Sequence, residues 1–212
     1  MIATHDSLTA YPVKFWFLKP FNFLCKCQSK TLEEQHDAGV RSFDLRFAKW
    51  NGSWYAAHGA QLYTITLFET FLRLRRLTER GEPIYFRVIC EDTFWKSDVD
   101  ELDIAVNRIL KEYPSPLKPL YIRSKCTWEM VNEYEDNKHC ADYPDLWDTK
   151  YTRKGMAGAV QQLYELKTSE DKMNFIACYS SKFIPRFTAK ILTKIALKKK
   201  WKENDVPVID FV

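Results

Sequence analysis

The sequence predicts an α/β fold, a TIM-type barrel of parallel strands that is distorted or incomplete in its fourth to sixth units, and three observations carry that reading. Short apolar runs with strand character alternate with amphipathic, helix-capped runs along much of the 212 residues. Charged side chains stand on one face or at the ends of the strand-like runs, where a barrel gathers them at one mouth. The final run, Val206 to Val212, becomes the neighbour of the first when a barrel closes. A single domain spanning residues 1–212 is expected, long enough to bury a sizeable core.

The first strand begins almost at Met1 and ends in Thr4-His5-Asp6-Ser7. An aromatic run from Tyr11 to Phe21 follows, interrupted by Lys14 and Lys19 and bracketed by Pro12 and Pro20. Such a run either caps the barrel or, with Trp and Phe beside Lys, anchors at a membrane interface. Thr31-Leu32-Glu33-Glu34 is a capping box and Gly39 a helix stop, so a short helix is predicted over 31–38 with His36 on its solvated surface. Phe43, Leu45 and Phe47 then alternate with polar residues, which predicts a strand whose aromatic face meets helices and whose Asp44 and Arg46 look into the lumen. A carboxylate and a guanidinium buried together need each other or a ligand. Asn51-Gly52 signals a tight hairpin that returns the chain toward the mouth and delivers His58.

Thr66 to Glu69 repeats the capping box and opens a helix through Phe71 and Leu74 that stops at Gly81. Pro83 to Cys90 reads as a buried strand ending in Glu91-Asp92, acids placed where a ligand meets a barrel. Ser97 with Asp100 opens a third helix that runs to Pro114. Beyond it a strand near 120–122 and a helix near 127–135 are predicted, and 136–155 shows no period. A helix over 157–167, a strand over 173–178 and a helix from Pro185 to Lys200 complete the pattern. In that last helix Ile191, Leu192, Ile195 and Ala196 form the apolar side, beside a stripe of Lys190, Lys194 and Lys198.

The 46% hydrophobic and 15% aromatic content excludes a disordered chain, and no apolar run is long enough for a membrane span. No secretory signal precedes the first strand, so a cytoplasmic protein, peripheral at membranes, is expected. The six cysteines show no double pair with zinc-ribbon spacing, and Cys25-Lys26-Cys27 is one residue too tight for one. Free thiols in a reducing compartment follow. His139, Cys140 and Asp142 form a minor metal candidate, with chance proximity in a polar loop the blander account. The net charge is +4, yet residues 182–202 carry eight Lys or Arg and no acid, a distribution that favours an anionic surface.

Thr4-His5-Asp6-Ser7, then Gln28 and Gln35 placed in a following helix, then Gly39-Val40-Arg41 leading into Asp44-Leu45-Arg46, then His58-Gly59, resembles the X domain of the phosphatidylinositol-specific phospholipases C. The resemblance is strong over 2–59, fainter near 84–92 and 173–180, and returns at Val208-Ile209-Asp210-Phe211; residues 114–172 do not align. It implies a phosphodiesterase that cleaves phosphatidylinositol or a related inositol lipid. In that scheme His5 is the general base, His58 the general acid, and Asp210 and Asp6 their respective orienting carboxylates. Arg46 holds the phosphate and Asp44 positions Arg46. Asp44, Arg87 and Glu91 are the substrate-side candidates. The family's basic residue late in the third strand meets Ile89 here, with Arg87 the substitute, and the glycine before Thr-His-Asp-Ser is Ala3.

Arg46 puts a fixed positive charge where the family's calcium-dependent members hold an acid, so the resemblance is to the bacterial, metal-independent branch, with no cofactor. The implied partners are phosphatidylinositol and an anionic phospholipid surface, without nucleic acid, for a monomer. Two alternatives remain at the level of sequence: a metal-dependent phosphodiesterase acting on glycerophosphodiesters or lysolipids, whose barrels place Glu-x-Asp after the second strand, and a catalytically poor membrane-binding module.

Overall fold

The computed structural model describes residues 1–113, 155–179 and 184–212, together with strands at Lys118–Tyr121 and Cys140–Tyr143. Strand β1 (Ile2–Thr4) is followed by a 3-10 helix at Trp16–Phe21, a single turn α1 (Asn22–Cys25) and helix α2 (Leu32–Asp37). Next come β2 (Val40–Trp50), β3 (Ser53–His58), β4 (Gln61–Thr66), α3 (Leu67–Thr78), β5 (Tyr85–Cys90), the turn α4 (Asp92–Trp95) and α5 (Val99–Glu112). Then follow β6 (Lys118–Tyr121), β7 (Cys140–Tyr143), α6 (Gly155–Glu165), β8 (Met173–Ala177), α7 (Pro185–Lys198) and β9 (Asp205–Ile209).

Seven of the strands run parallel in the order β6-β5-β2-β1-β9-β8-β7, and β3 and β4 extend the upper end of β2 as an antiparallel meander. This is a TIM-type barrel, with no pairing between β6 and β7 among the described residues. The first and last strands are neighbours, Ala3 beside Val208 and Thr4 beside Ile209.

Side-chain alternation divides the core as the period-two pattern requires. On the outer face Phe43, Leu45 and Phe47 of β2 and Phe86 and Val88 of β5 pack under Leu67, Phe71 and Leu74 of α3. Across the barrel Ile176 and Ile209 pack under Leu192 and Ala196 of α7 and Leu163 of α6. The lumen holds a smaller plug of Ala3, Phe175, Ala177, Val206 and Val208. Burying side chains of this size contributes roughly 1.5–3 kcal/mol each.

Both capping boxes form: Thr31 Oγ1 accepts from Glu34 N while Glu34 accepts from Thr31 N, and Thr66 and Glu69 do the same. Asn51 and Gly52 both take positive φ, +47° and +77°, as the two-residue β2–β3 hairpin demands.

Several expectations need correction. His36 is buried, only 5% exposed, because α2 lies against β2 and α3 and closes that face. Gln28 precedes α2 instead of lying in it. The third helix is capped by Asp98, whose carboxylate accepts from Asp100 N and Glu101 N; Ser97 instead accepts from Lys49 N. The inward side of α7 is Thr188, Ala189, Leu192, Thr193 and Ala196, and Ile191 is exposed. Thr193 turns inward because its hydroxyl donates to the Asp210 carbonyl at 2.5 Å. Residues 136–155, which show no period, contain β7, four residues being too short to show one. The helix expected near 127–135 and His139 lie outside the described residues.

Candidate active site

The mouth of the barrel is built where β1, β2, β3, β5 and β9 end. His5 N donates to Ile209 O at 2.9 Å and Ser7 N to Asp44 O at 2.8 Å, so the segment after β1 is pinned to both neighbouring strands. Between them Asp6 adopts φ +46°, a left-handed conformation that aspartate tolerates better than most residues. That turn separates the two side chains: His5 goes to β9 and Asp6 to β3.

Each histidine has its own carboxylate. His5 Nδ1 lies 2.8 Å from Asp210 Oδ1. His58 Nδ1 lies 2.9 Å from Asp6 Oδ2 and 2.6 Å from the Cys25 carbonyl oxygen. A carbonyl can only accept, so Nδ1 of His58 carries a proton; that N–H points at the carbonyl, and Asp6 acts on it mainly as a nearby charge. The ring centroids of His5 and His58 are 6.0 Å apart at 84°. With Nδ1 of each occupied, Nε2 is left for a substrate.

The charged floor follows from strand register. Asp44 on β2 lies beside Arg87 on β5, and residues opposite each other on parallel strands share a face. Arg87 therefore points into the lumen. Asp44 Oδ1 accepts from Arg87 Nε at 2.9 Å, and Oδ2 accepts from Arg46 Nη2 at 3.0 Å. Glu91 is buried beside Arg46, 3.7 Å from Nη1. Burial by itself would raise the Asp44 pKa, but Arg46 and Arg87 more than offset it and hold the carboxyl far below its usual range.

The two imidazoles have opposite proton affinities. Burial, reinforced by Arg46, pushes His5 well below its usual pKa, so it is neutral near pH 7. Burial also opposes charge on His58, yet Asp6 prevails and lifts it to about 9. Burial raises the Asp210 carboxyl as well. For His5 Nε2 to be free to accept a proton, the hydrogen of the neutral imidazole must sit on Nδ1 and be donated to Asp210 Oδ1.

All eight predicted site residues (His5, Asp6, Asp44, Arg46, His58, Arg87, Glu91, Asp210) converge on this mouth. Sequence reasoning named Gln28 and Phe211 only within the family pattern and gave no role to the residues that hold the mouth together. Gln28 Nε2 donates to His5 O and to Ile209 O, clamping β1 to β9, and its Oε1 accepts from Val212 N. Phe211, strained at φ +50°, donates its N–H to Cys27 O. Tyr179 stacks on His5 with centroids 3.6 Å apart. Cys27 is fully buried, its Sγ 3.7 Å from His58 Nδ1. The signal for Gln28 was its place in the family pattern; Cys27 and Tyr179 lie outside any regular element, where no period operates.

The surroundings bear on ligand access. A cavity of about 310 Å³ lined by Phe23, Lys26, Ser29, Arg186 and Phe211 borders the site. Trp16, Phe17, Phe21, Phe23 and Leu24 are exposed on the segment that leads to it. No helix of the described residues is long and apolar enough to cross a membrane.

No protein-family model and no curated protein matches the chain. Among solved structures it is similar to the phosphatidylinositol-specific phospholipase C of Listeria monocytogenes, with a TM-score of 0.63 and 16% identity over 99% of this chain and 87% of that one. A pentafluoro-Phe form of the Staphylococcus aureus phosphatidylinositol-specific phospholipase C gives 0.66 and 15%, covering 99% and 85%. At such identities the likeness shows the fold.

Proposed function

We propose that the chain is a phosphatidylinositol phospholipase C-like phosphodiesterase, acting on phosphatidylinositol or a related inositol lipid at an anionic membrane surface without a metal cofactor. One observation carries the reading: two imidazoles, each with its own carboxylate, stand with ring centroids 6.0 Å apart within the field of Arg46. That is the arrangement an in-line displacement at phosphorus needs.

His5 Nε2 removes the proton from the inositol 2-hydroxyl. The 2-oxygen bonds to phosphorus while the bond from phosphorus to the glycerol oxygen breaks. His58 Nε2 delivers its proton to that departing oxygen, leaving diacylglycerol and inositol 1,2-cyclic phosphate. Arg46 stabilises the charge growing on the phosphoryl oxygens, and Asp44, gripped also by Arg87, keeps the guanidinium aimed. Asp210 steadies the imidazolium that forms at His5. The exposed aromatic segment supports docking at a bilayer interface.

The test is incubation with phosphatidylinositol vesicles in the presence of a chelator. Diacylglycerol and cyclic phosphate are expected from the wild type, and neither from His5→Ala or His58→Ala. Product that vanishes with the chelator would point to the metal-dependent alternative, and vesicle binding without product to a membrane-binding module.

A further inference from the structure

The mechanism above uses both imidazoles and both carboxylates but leaves the thiol between them without a role. Cys27 belongs to two overlapping ligand sets, one with Asp6 and His58, the other with His5 and Asp210, and the donor atoms within each set lie within 4.8 Å of one another. Oδ1 of Asp6 and Oδ2 of Asp210 are buried and have no hydrogen-bond partner among the described residues, while Oδ2 of Asp6 is held by its ion pair with His58. Buried acceptors of that kind call for a ligand or a bound ion.

We propose that Cys27, His58 and Asp6 form a binding site for one thiophilic divalent cation of the Zn²⁺ class, and that its occupancy switches off the phosphodiester chemistry. Sulfur, nitrogen and oxygen donors in one cluster suit zinc and its neighbours; calcium and magnesium prefer oxygen alone. Tetrahedral coordination with bonds of about 2.0–2.3 Å places a sulfur and a nitrogen ligand roughly 3.6 Å apart, and an oxygen and a nitrogen roughly 3.3 Å apart. Cys27 Sγ to His58 Nδ1 is 3.7 Å and Asp6 Oδ2 to His58 Nδ1 is 2.9 Å. The Cys25 carbonyl oxygen, 2.6 Å from Nδ1 and the present acceptor of its proton, must draw back by about 0.7 Å to reach ligand spacing, and it then takes the fourth position. The set that includes His58 is favoured because its side chain is 23% exposed, against 7% for His5, which gives the ion a way in.

Binding replaces two protons: the thiol and Nδ1 of His58 each release one to solvent as the sulfur and nitrogen bonds to the metal form. The ring is then a neutral imidazole holding only its Nε2 proton, no longer an imidazolium able to protonate a leaving oxygen. The inhibitory half of the inference rests on the function proposed above; the binding half does not.

The experiment titrates the full chain with Co²⁺ in place of Zn²⁺ and reads the near-ultraviolet thiolate-to-metal absorption band. The band should form in wild type and in Cys25→Ser, disappear when Zn²⁺ is added, and be absent from Cys27→Ser. Asp6→Asn should keep the band with affinity lowered at least about tenfold once extrapolated to alkaline pH, where proton competition at His58 no longer differs between the two proteins. A wild type without the band, or a Cys27→Ser protein that keeps it, overturns the site. Should circular dichroism show Cys27→Ser unfolded, Asp6→Asn decides, and unchanged affinity there overturns the site too. In the vesicle assay Zn²⁺ should inhibit and a chelator restore the rate; full activity at saturating Zn²⁺ refutes the inhibitory half. A band in a protein that cleaves no phosphatidylinositol supports the site and refutes the function instead.

Discussion

Asp6→Asn separates the electrostatic account of His58 from a merely structural one. The substitution keeps the side chain's shape but removes the anion 2.9 Å from Nδ1, the principal influence lifting His58 to about 9. Without it burial and Arg46, which disfavour charge, outweigh the Cys25 carbonyl, which favours it, so the pKa returns to about 6.5 or below. The fall of about 2.5 pH units corresponds to about 3 kcal/mol. At about pH 8 a group titrating near 9 is roughly nine-tenths protonated and one near 6.5 roughly one-thirtieth, so activity should drop about thirty-fold; at about pH 6 the same change costs less than about twofold. The assay is kcat/KM on phosphatidylinositol vesicles across the pH range, with the imidazole titration followed by NMR on labelled histidine. An alkaline limb that stays near pH 9 in the variant, or a loss equal at every pH, would refute the reasoning.

Stability should follow the same group. The folded pKa of His58 lies above its unfolded value, so its stabilisation is complete below about pH 6.5 and is lost as pH rises through about 9, a decline of up to about 3 kcal/mol in chemical denaturation that Asp6→Asn should lack. Asp44→Ala should destabilise by about 3–5 kcal/mol, because it removes the buried carboxylate that Arg46 and Arg87 share; Arg46→Ala should cost less stability, since Asp44 keeps Arg87, yet lower kcat by about 10²–10³. Equal thermal shifts for the two variants would contradict that ordering. Trp16→Ala, at a side chain 83% exposed, should leave the melting temperature unchanged and weaken vesicle binding about tenfold or more; unaltered sedimentation with vesicles would remove Trp16 from the docking surface.

Sequence by itself determined whatever local rules govern. Period-two alternation put Asp44 and Arg46 on the lumen face, two capping boxes set the starts of α2 and α3, and Asn51-Gly52 made the hairpin that returns His58 to the mouth. Each needs only residues a few positions apart. Tertiary structure decided what depends on strand register and burial. Arg87 meets Asp44 through pairing across 43 positions, Gln28 ties His5 to Ile209 across 181, and Cys27 falls between two histidine–carboxylate pairs. The opposite proton affinities of His5 and His58 are likewise invisible in a string of letters, because a side chain's pKa is set by the dielectric and the charges that the folded chain gathers around it.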